Sequence, residues 1–193
     1  RDGVLNALVL DAGSGQFESP YRPEDVVVSP SSVEAVRLLR SINATLAVVS
    51  NQPAAAKGTA TLDALAAVDD AVFAPYAAAG IRFDVVIYCH HHPDAVVEAL
   101  AGSCACRKPA PGMLEEAGRR LGRRSLSGSW LIGDSDVDIL AGAAAGATTV
   151  LVEEPLSAHR RRGDAEPDHR APSVLSAAKI VVAHAARESA GDT

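Results

Sequence analysis

Two groups of side chains in this sequence have the types and spacing that chemistry requires. The first is Cys89-His90-His91-His92-Pro93, followed by Cys104-Ala105-Cys106. Zinc takes four Cys or His ligands in a tetrahedron, and two short-spaced pairs joined by a loop can wrap one ion. Cys89 with His91 makes one such pair and Cys104 with Cys106 the other, while His90 and His92 remain open as alternatives to His91. Four protein ligands close the coordination shell, so the expected zinc is structural. Its expected task is to fix the loop that carries Arg107 and Lys108.

The second group is dispersed along the chain: Asp2, then Ser50-Asn51-Gln52, then Arg107-Lys108, then Gly133-Asp134-Ser135-Asp136-Val137-Asp138. Together these types suit removal of a phosphate from a monoester. That reaction needs a nucleophile in line with the leaving oxygen, an acid to protonate that oxygen, and cations to neutralise the phosphoryl group. A carboxylate nucleophile would give an aspartyl-phosphate. Mg²⁺ is hard and prefers oxygen, so it suits Asp134 at a strand end. Lys108 supplies positive charge, and Ser50 with the amides of Asn51 and Gln52 offers donors to phosphoryl oxygens. Each piece alone is ordinary turn or capping chemistry. Their order, and their repeated position after apolar runs, sets them apart.

The elements that must position these residues are legible as a pattern. Short apolar runs at 45–49, 83–88, 130–132 and 148–152 are expected strands. Helices are expected at 32–41, 61–79, 112–121, 136–145 and 173–186. Strands alternating with helices imply a doubly wound parallel α/β sheet, which binds ligands beyond the carboxyl ends of its strands. Residues 12–25 and 163–172 read as loops from their Gly, Ser and Pro content. The chain is expected to form one domain over 1–187 with a tail at 188–193, and no segment is large enough for a separate cap domain.

Composition narrows the partners. The 193 residues are 48% hydrophobic and 4% aromatic, with a formal charge of −6. That balance gives no reason to expect nucleic acid, and the basic run 159–162 reads as a solvated loop. No apolar stretch approaches the ~20 residues needed to span a bilayer, and the opening Arg1-Asp2-Gly3 has no signal-peptide pattern. Three cysteines, two of them one residue apart, favour reduced metal-binding thiols and a cytoplasmic protein. A monomer is expected.

The four dispersed pieces resemble the four motifs of the haloacid dehalogenase superfamily of phosphatases, with the Rossmann-like fold this implies. In the first motif the pattern is Asp-x-Asp-Gly. Here Arg1-Asp2-Gly3-Val4-Leu5-Asn6 matches it from the second position. The resemblance makes Asp2 the acid/base, with its backbone carbonyl a metal ligand. It places the nucleophile, and the central strand that delivers it, just before Arg1 and upstream of the sequence. Asp11 is a weaker alternative nucleophile, because Gly13 and not an acid stands two residues on. Ser50 matches the second motif, Lys108 the third, Asp134 the metal-binding acid of the fourth, and Asp138 its second acidic position. Asp136, between them, is expected to face solvent.

The zinc string narrows the resemblance to a zinc-containing subgroup acting on heptose bisphosphate or histidinol phosphate. Cys104 to Met113 (Cys-Ala-Cys-Arg-Lys-Pro-Ala-Pro-Gly-Met) is similar to the heptose-type string, as are Ser50-Asn51-Gln52 and the later Lys57-Gly58. The resemblance covers roughly residues 1–152 and implies that Arg107 contacts a second phosphate. Ser135 stands where the heptose-type pattern has Lys, and it borders the expected substrate site. Tyr21 and Arg22, in the long loop after the first motif, are further candidates for sugar contact. The expected partner is a small phosphorylated sugar. A histidinol-phosphate or other sugar-phosphate phosphatase is the alternative, and a non-catalytic zinc-stabilised binding module the second.

Overall fold

The structure is a computed structural model and describes residues 1–191. Strands and helices alternate: β1 (Val9–Leu10), β2 (Phe17–Glu18), α1 (Pro30–Ser41), β3 (Ala47–Asn51), α2 (Leu62–Ala78), β4 (Val85–Cys89), α3 (Gly112–Arg120), β5 (Trp130–Gly133), α4 (Asp136–Ala144), β6 (Thr148–Val152), β7 (His169–Ala171) and α5 (Val174–Gly191). All four expected strands and five expected helices are present. Their bounds move where capping decides them. Helix α1 begins two residues before the expected start because Ser29 caps it, accepting from the Ser32 amide, and Pro30 fits the first turn. Thr61 caps α2 in the same way through the Ala64 amide. Helix α5 runs past the expected 186 to Gly191, so part of the expected tail is helical, and residues 192–193 lie outside the described residues.

Burial follows the helical period. Leu65, Val68, Val72 and Tyr76 form the buried stripe of α2. Tyr76 packs with Leu5, Val36, Val48 and Ile81 in one core cluster, and its hydroxyl donates to the Leu5 carbonyl at 2.7 Å. On the other side, Ala35 of α1 packs with Val174 and Ala178 of α5.

The parallel strands fall into two ladders, β3-β4 and β5-β6-β7, in keeping with the expected parallel α/β arrangement. Between the ladders runs an apolar groove of about 300 Å³, lined by Val49 of β3, Leu131 and Ile132 of β5, and Leu114 of α3. Two of the expected loops carry structure. Residues 12–25 hold the returning strand of an antiparallel hairpin, β1-β2, and a short 3₁₀ turn at Pro23–Asp25. Residues 163–172 contain β7. Its pairing with β6 is reinforced by the Asp168 carboxylate, which accepts from both the amide and the hydroxyl of Thr149 at 2.8 Å. Among the described residues no helix is long and apolar enough to cross a membrane.

Replacing Tyr76 with Phe should leave the Leu5 carbonyl unpaired inside the core at a cost of about 1–2 kcal/mol. Urea denaturation should report this as a lower midpoint with an unchanged slope.

Candidate active site

The polar residues fall at the carboxyl ends of the strands. Ser50 and Asn51 close β3, Cys89 closes β4, and Asp134 follows Gly133 at the end of β5. These ends open on a pocket of about 580 Å³ whose lining includes Asp2, Ser50, Asn51, Arg107, Lys108, Asp134, Ser135 and Asp138. The fold thus gathers most of the expected site around one cavity. Glycine permits the closest approaches. A Cβ on Gly3, whose φ is +81°, would lie 2.2 Å from Asp134 Oδ2, and one on Gly133 would lie 2.3 Å from Asp138 Cβ.

Asp2 is buried and held from several sides. Its Oδ1 accepts from Arg1 Nε and Nη2 at 3.1 and 3.0 Å and from Asn6 Nδ2 at 3.0 Å. Its Oδ2 accepts from Gln52 Nε2 at 2.6 Å. Burial raises the Asp2 carboxyl, but the Arg1 guanidinium and the Asn6 amide outweigh it and hold the group well below the ordinary carboxylate range. Arg1 is itself buried, paired with Asp69 of α2, and lies 5.5 Å from the centroid of the Tyr88 ring.

Across the pocket, the Lys108 ammonium pairs with Asp138 Oδ1 and donates to the Val49 carbonyl at 3.2 Å. Ser135 Oγ donates to Asp138 Oδ2 at 2.5 Å. Asn51 fixes the backbone of Lys108 with both ends of its amide, at 3.0 Å each. Asp134 has the opposite environment. Burial and the neighbouring Asp138 push its carboxyl up to about 6, and its Oδ2 is buried with no hydrogen-bond partner. Burial also works to raise Asp138, and Lys108 reverses that, so the pair is split with Asp138 low and Asp134 high.

The Cys and His ligand atoms meet as the spacing requires. Those of Cys89, His91, Cys104 and Cys106 all lie within 4.8 Å of one another. The three sulfur–sulfur distances are 3.1, 3.2 and 3.5 Å, and His91 Nδ1 lies 3.8 and 3.6 Å from Cys89 and Cys106. A tetrahedron with Zn–S of about 2.3 Å has edges of roughly 3.5–3.8 Å; two of the sulfur pairs stand a little closer than that, and the four groups could hold one metal ion of the zinc type. His90 Nδ1 instead meets the Gln52 carbonyl at 3.0 Å, and His92 Nδ1 accepts the Asp94 amide at 3.0 Å. Burial, then the charges of Arg107 and Lys57, lower the His92 imidazole.

Several expectations change. Asp136 does not face solvent. It is buried, and its Oδ2 accepts the amides of Arg162, Gly163 and Asp164. The basic run at 159–162 is therefore folded back at the site, with His159, Arg160 and Arg162 lining the pocket while His159 and Arg162 stay exposed to solvent. Gln52 is turned inward. Its amide nitrogen bonds the Cys89 carbonyl at 2.7 Å and its side chain serves Asp2, Arg1 and Ser50, so neither is free for substrate. Tyr21 packs on Ala54, Ala55 and Leu65. Arg22 is exposed, near Glu24 and Asp25, and Asp11 orders the hairpin turn through the amides of Gly13 and Ser14. None of these three lines the pocket. Sequence reading missed Ser157 and Arg161, which donate to the Asp134 carbonyl at 3.2 Å. Nothing in their local pattern marks them, because they reach it only when the segment after β6 folds back.

Comparison with known proteins agrees with this geometry. Residues 105–177 match a family described as HAD-hydrolase-like. The D-glycero-beta-D-manno-heptose-1,7-bisphosphate 7-phosphatase of Pseudomonas aeruginosa is 36% identical over 153 residues, covering 79% of this chain and 78% of that protein. The enzyme of the same name from Yersinia pestis is 32% identical, over 87% of this chain and 85% of its own. The chain belongs to the heptose-bisphosphate phosphatase family of the haloacid dehalogenase superfamily. Its fold is similar to the crystal structure of the D,D-heptose 1,7-bisphosphate phosphatase from B. bronchiseptica complexed with magnesium and phosphate. That match has a TM-score of 0.77 and 28% identity, and it covers 95% of this chain and 96% of the other. The orphaned oxygen of Asp134, beside a second buried carboxylate, fits a hard oxygen-seeking cation in a family with a magnesium complex.

Burial and the neighbouring Cys106 and Cys104 push the Cys89 thiol up to about 12. Protein purified with zinc should carry about one equivalent per chain, and Cys104→Ser should reduce the content and lower the melting temperature. Elemental analysis and calorimetry check this.

Proposed function

We propose that this chain is a Mg²⁺-dependent phosphomonoester hydrolase that removes the 7-phosphate of D-glycero-β-D-manno-heptose 1,7-bisphosphate. The observation that carries the reading is the convergence of Asp2, Ser50, Lys108, Asp134 and Asp138 on one pocket at neighbouring strand ends. The β form follows the names of the relatives from P. aeruginosa and Y. pestis. We further propose that the protein acts as a single-domain cytoplasmic monomer and that the zinc is structural.

In this mechanism the accepting carboxylate stands at the position before Arg1, as the family pattern requires. Asp134, Asp138 and the Asp2 carbonyl would hold Mg²⁺, which offsets charge on the phosphoryl oxygens. Lys108 adds a fixed cation, and Ser50 Oγ donates to a phosphoryl oxygen. Arg107 reaches the second phosphate, and Ser135 orients Asp138. Asn51 acts by fixing the Lys108 backbone.

Asp2 donates a proton to the leaving sugar oxygen and then takes one from the water that frees the enzyme. It is ionised in the free site because Arg1 outweighs burial. An arriving phosphate dianion adds negative charge beside it and shifts it back toward the protonated acid. Gln52 and Asn6 keep it in place through both states.

In a chain carrying the position before Arg1, Asp2→Asn should lower kcat for the bisphosphate by about 100-fold or more with little change in zinc content. A variant that turns over at the wild-type rate refutes the assignment. Asp134→Asn should raise the Mg²⁺ concentration needed for half-maximal phosphate release and leave the zinc content intact. A magnesium titration followed by phosphate release reads this directly. Faster hydrolysis of histidinol phosphate than of heptose bisphosphate would move the substrate to the alternative class.

A further inference from the structure

The carbonyl of Asp134 stands one residue too early to join the helix that follows it. The backbone bonds of α4 begin at Ser135, whose carbonyl accepts the amides of Asp138 and Ile139 at 3.1 and 3.3 Å. Asp134 is buried, so its carbonyl needs a donor from outside the helix. The need matters because Asp134 Oδ2 has no hydrogen-bond partner. No bond to that oxygen fixes the carboxylate, and its placement falls to the main chain.

The donors come from the segment after β6. A 3₁₀ helix at Pro155–Arg160 presents the buried Ser157, whose Oγ donates to the Asp134 carbonyl at 3.2 Å. Arg161 follows the helix. Its Nη1 donates to the same carbonyl at 3.2 Å and to Ser157 Oγ at 2.7 Å, and its Nη2 donates to the Glu154 carbonyl at 2.9 Å. One planar, permanently charged guanidinium thus closes the turn on itself and onto Asp134. Two further ties hold the segment. The Asp136 carboxylate accepts the amides of Arg162, Gly163 and Asp164 at 2.5, 3.0 and 3.3 Å, and Arg160 pairs with Glu18 of β2 at 3.1 Å. Arg160 and Arg162 line the pocket, whereas Arg161 is not among its described lining residues. It reaches the main chain of Asp134 and not the cavity.

We propose that Arg161 is a positioning residue for the Mg²⁺ site. It fixes the main chain of Asp134, and through it the carboxylate that receives the cation, without touching cation or substrate. This rests on the Mg²⁺-dependent reading above. Ser157 shares the task, and Asp136 keeps the arginine in reach by anchoring the residues that follow it. Mg²⁺ demands near-octahedral oxygens at short distance, so a loosened Asp134 is felt as lost affinity.

The test titrates Mg²⁺ alone, by calorimetry, into zinc-loaded enzyme carrying the position before Arg1, as wild type, Arg161→Met, Arg161→Lys and Ser157→Ala. Arg161→Met should raise the Mg²⁺ Kd about tenfold with zinc content unchanged. Arg161→Lys, which keeps the charge but not the fork, should recover part of the loss. Ser157→Ala should raise the Kd by a smaller factor, and it decides the matter if Arg161→Met does not fold: a Kd equal to that of the wild type then overturns the proposal. A wild type that binds Mg²⁺ and an Arg161→Met variant that binds it as tightly overturn the positioning role alone. The same holds if Arg161→Met melts at a lower temperature without Mg²⁺ while its Kd is unmoved, which makes Arg161 structural. A wild type that binds no Mg²⁺ overturns the Mg²⁺-dependent reading and the positioning role with it.

Discussion

Four buried carboxylates, Asp2, Asp134, Asp136 and Asp138, stand around one pocket, and the surroundings are arranged to tolerate that concentration of negative charge. Burying an ionised carboxylate is costly unless it is paired or hydrogen-bonded. Asp2 is compensated by Arg1, Asn6 and Gln52, and Asp138 by Lys108 and Ser135. Asp134 is left with an oxygen that nothing in the protein satisfies. That asymmetry is informative. Asp136 is satisfied by the amides of residues 162–164; a purely structural cluster would pair all four, whereas a site meant to receive a cation leaves one ligand exposed to it.

The compensation requires precise backbone placement, and neighbouring elements supply it. Gly3 and Gly133 remove the side chains that would otherwise collide with Asp134 and Asp138. Asn51 clamps Lys108 from β3. Ser157 and Arg161 hold the Asp134 carbonyl from the far side, while Asp136 anchors residues 162–164. The chain after β6 is thereby folded back over the acidic wall, and its basic residues are brought to the pocket that they partly neutralise.

The Cys/His cluster organises the other wall. It spans from the end of β4 to the residue before Arg107, and the loop between its two halves bonds the turn carrying Lys57. Metal binding at four protein ligands would lower the entropy of this loop.

The sequence by itself determined the ligand set of the cluster up to the choice among three adjacent histidines. It also determined the order of strands and helices, and the resemblance of its motifs pointed to Asp2, Ser50, Lys108, Asp134 and Asp138, which line one pocket. These were legible because ligand spacing and apolar period are local properties of the chain. Tertiary structure alone decided what depends on distant segments meeting. It chose His91 because the other two imidazoles point to Gln52 and to the amide of Asp94. It buried Asp136 because residues 162–164 return to it, and it turned Gln52 inward because β4 takes its amide. It also separated free cations from committed ones, since an ion pair such as Arg160 with Glu18 joins residues whose spacing in sequence carries no signal.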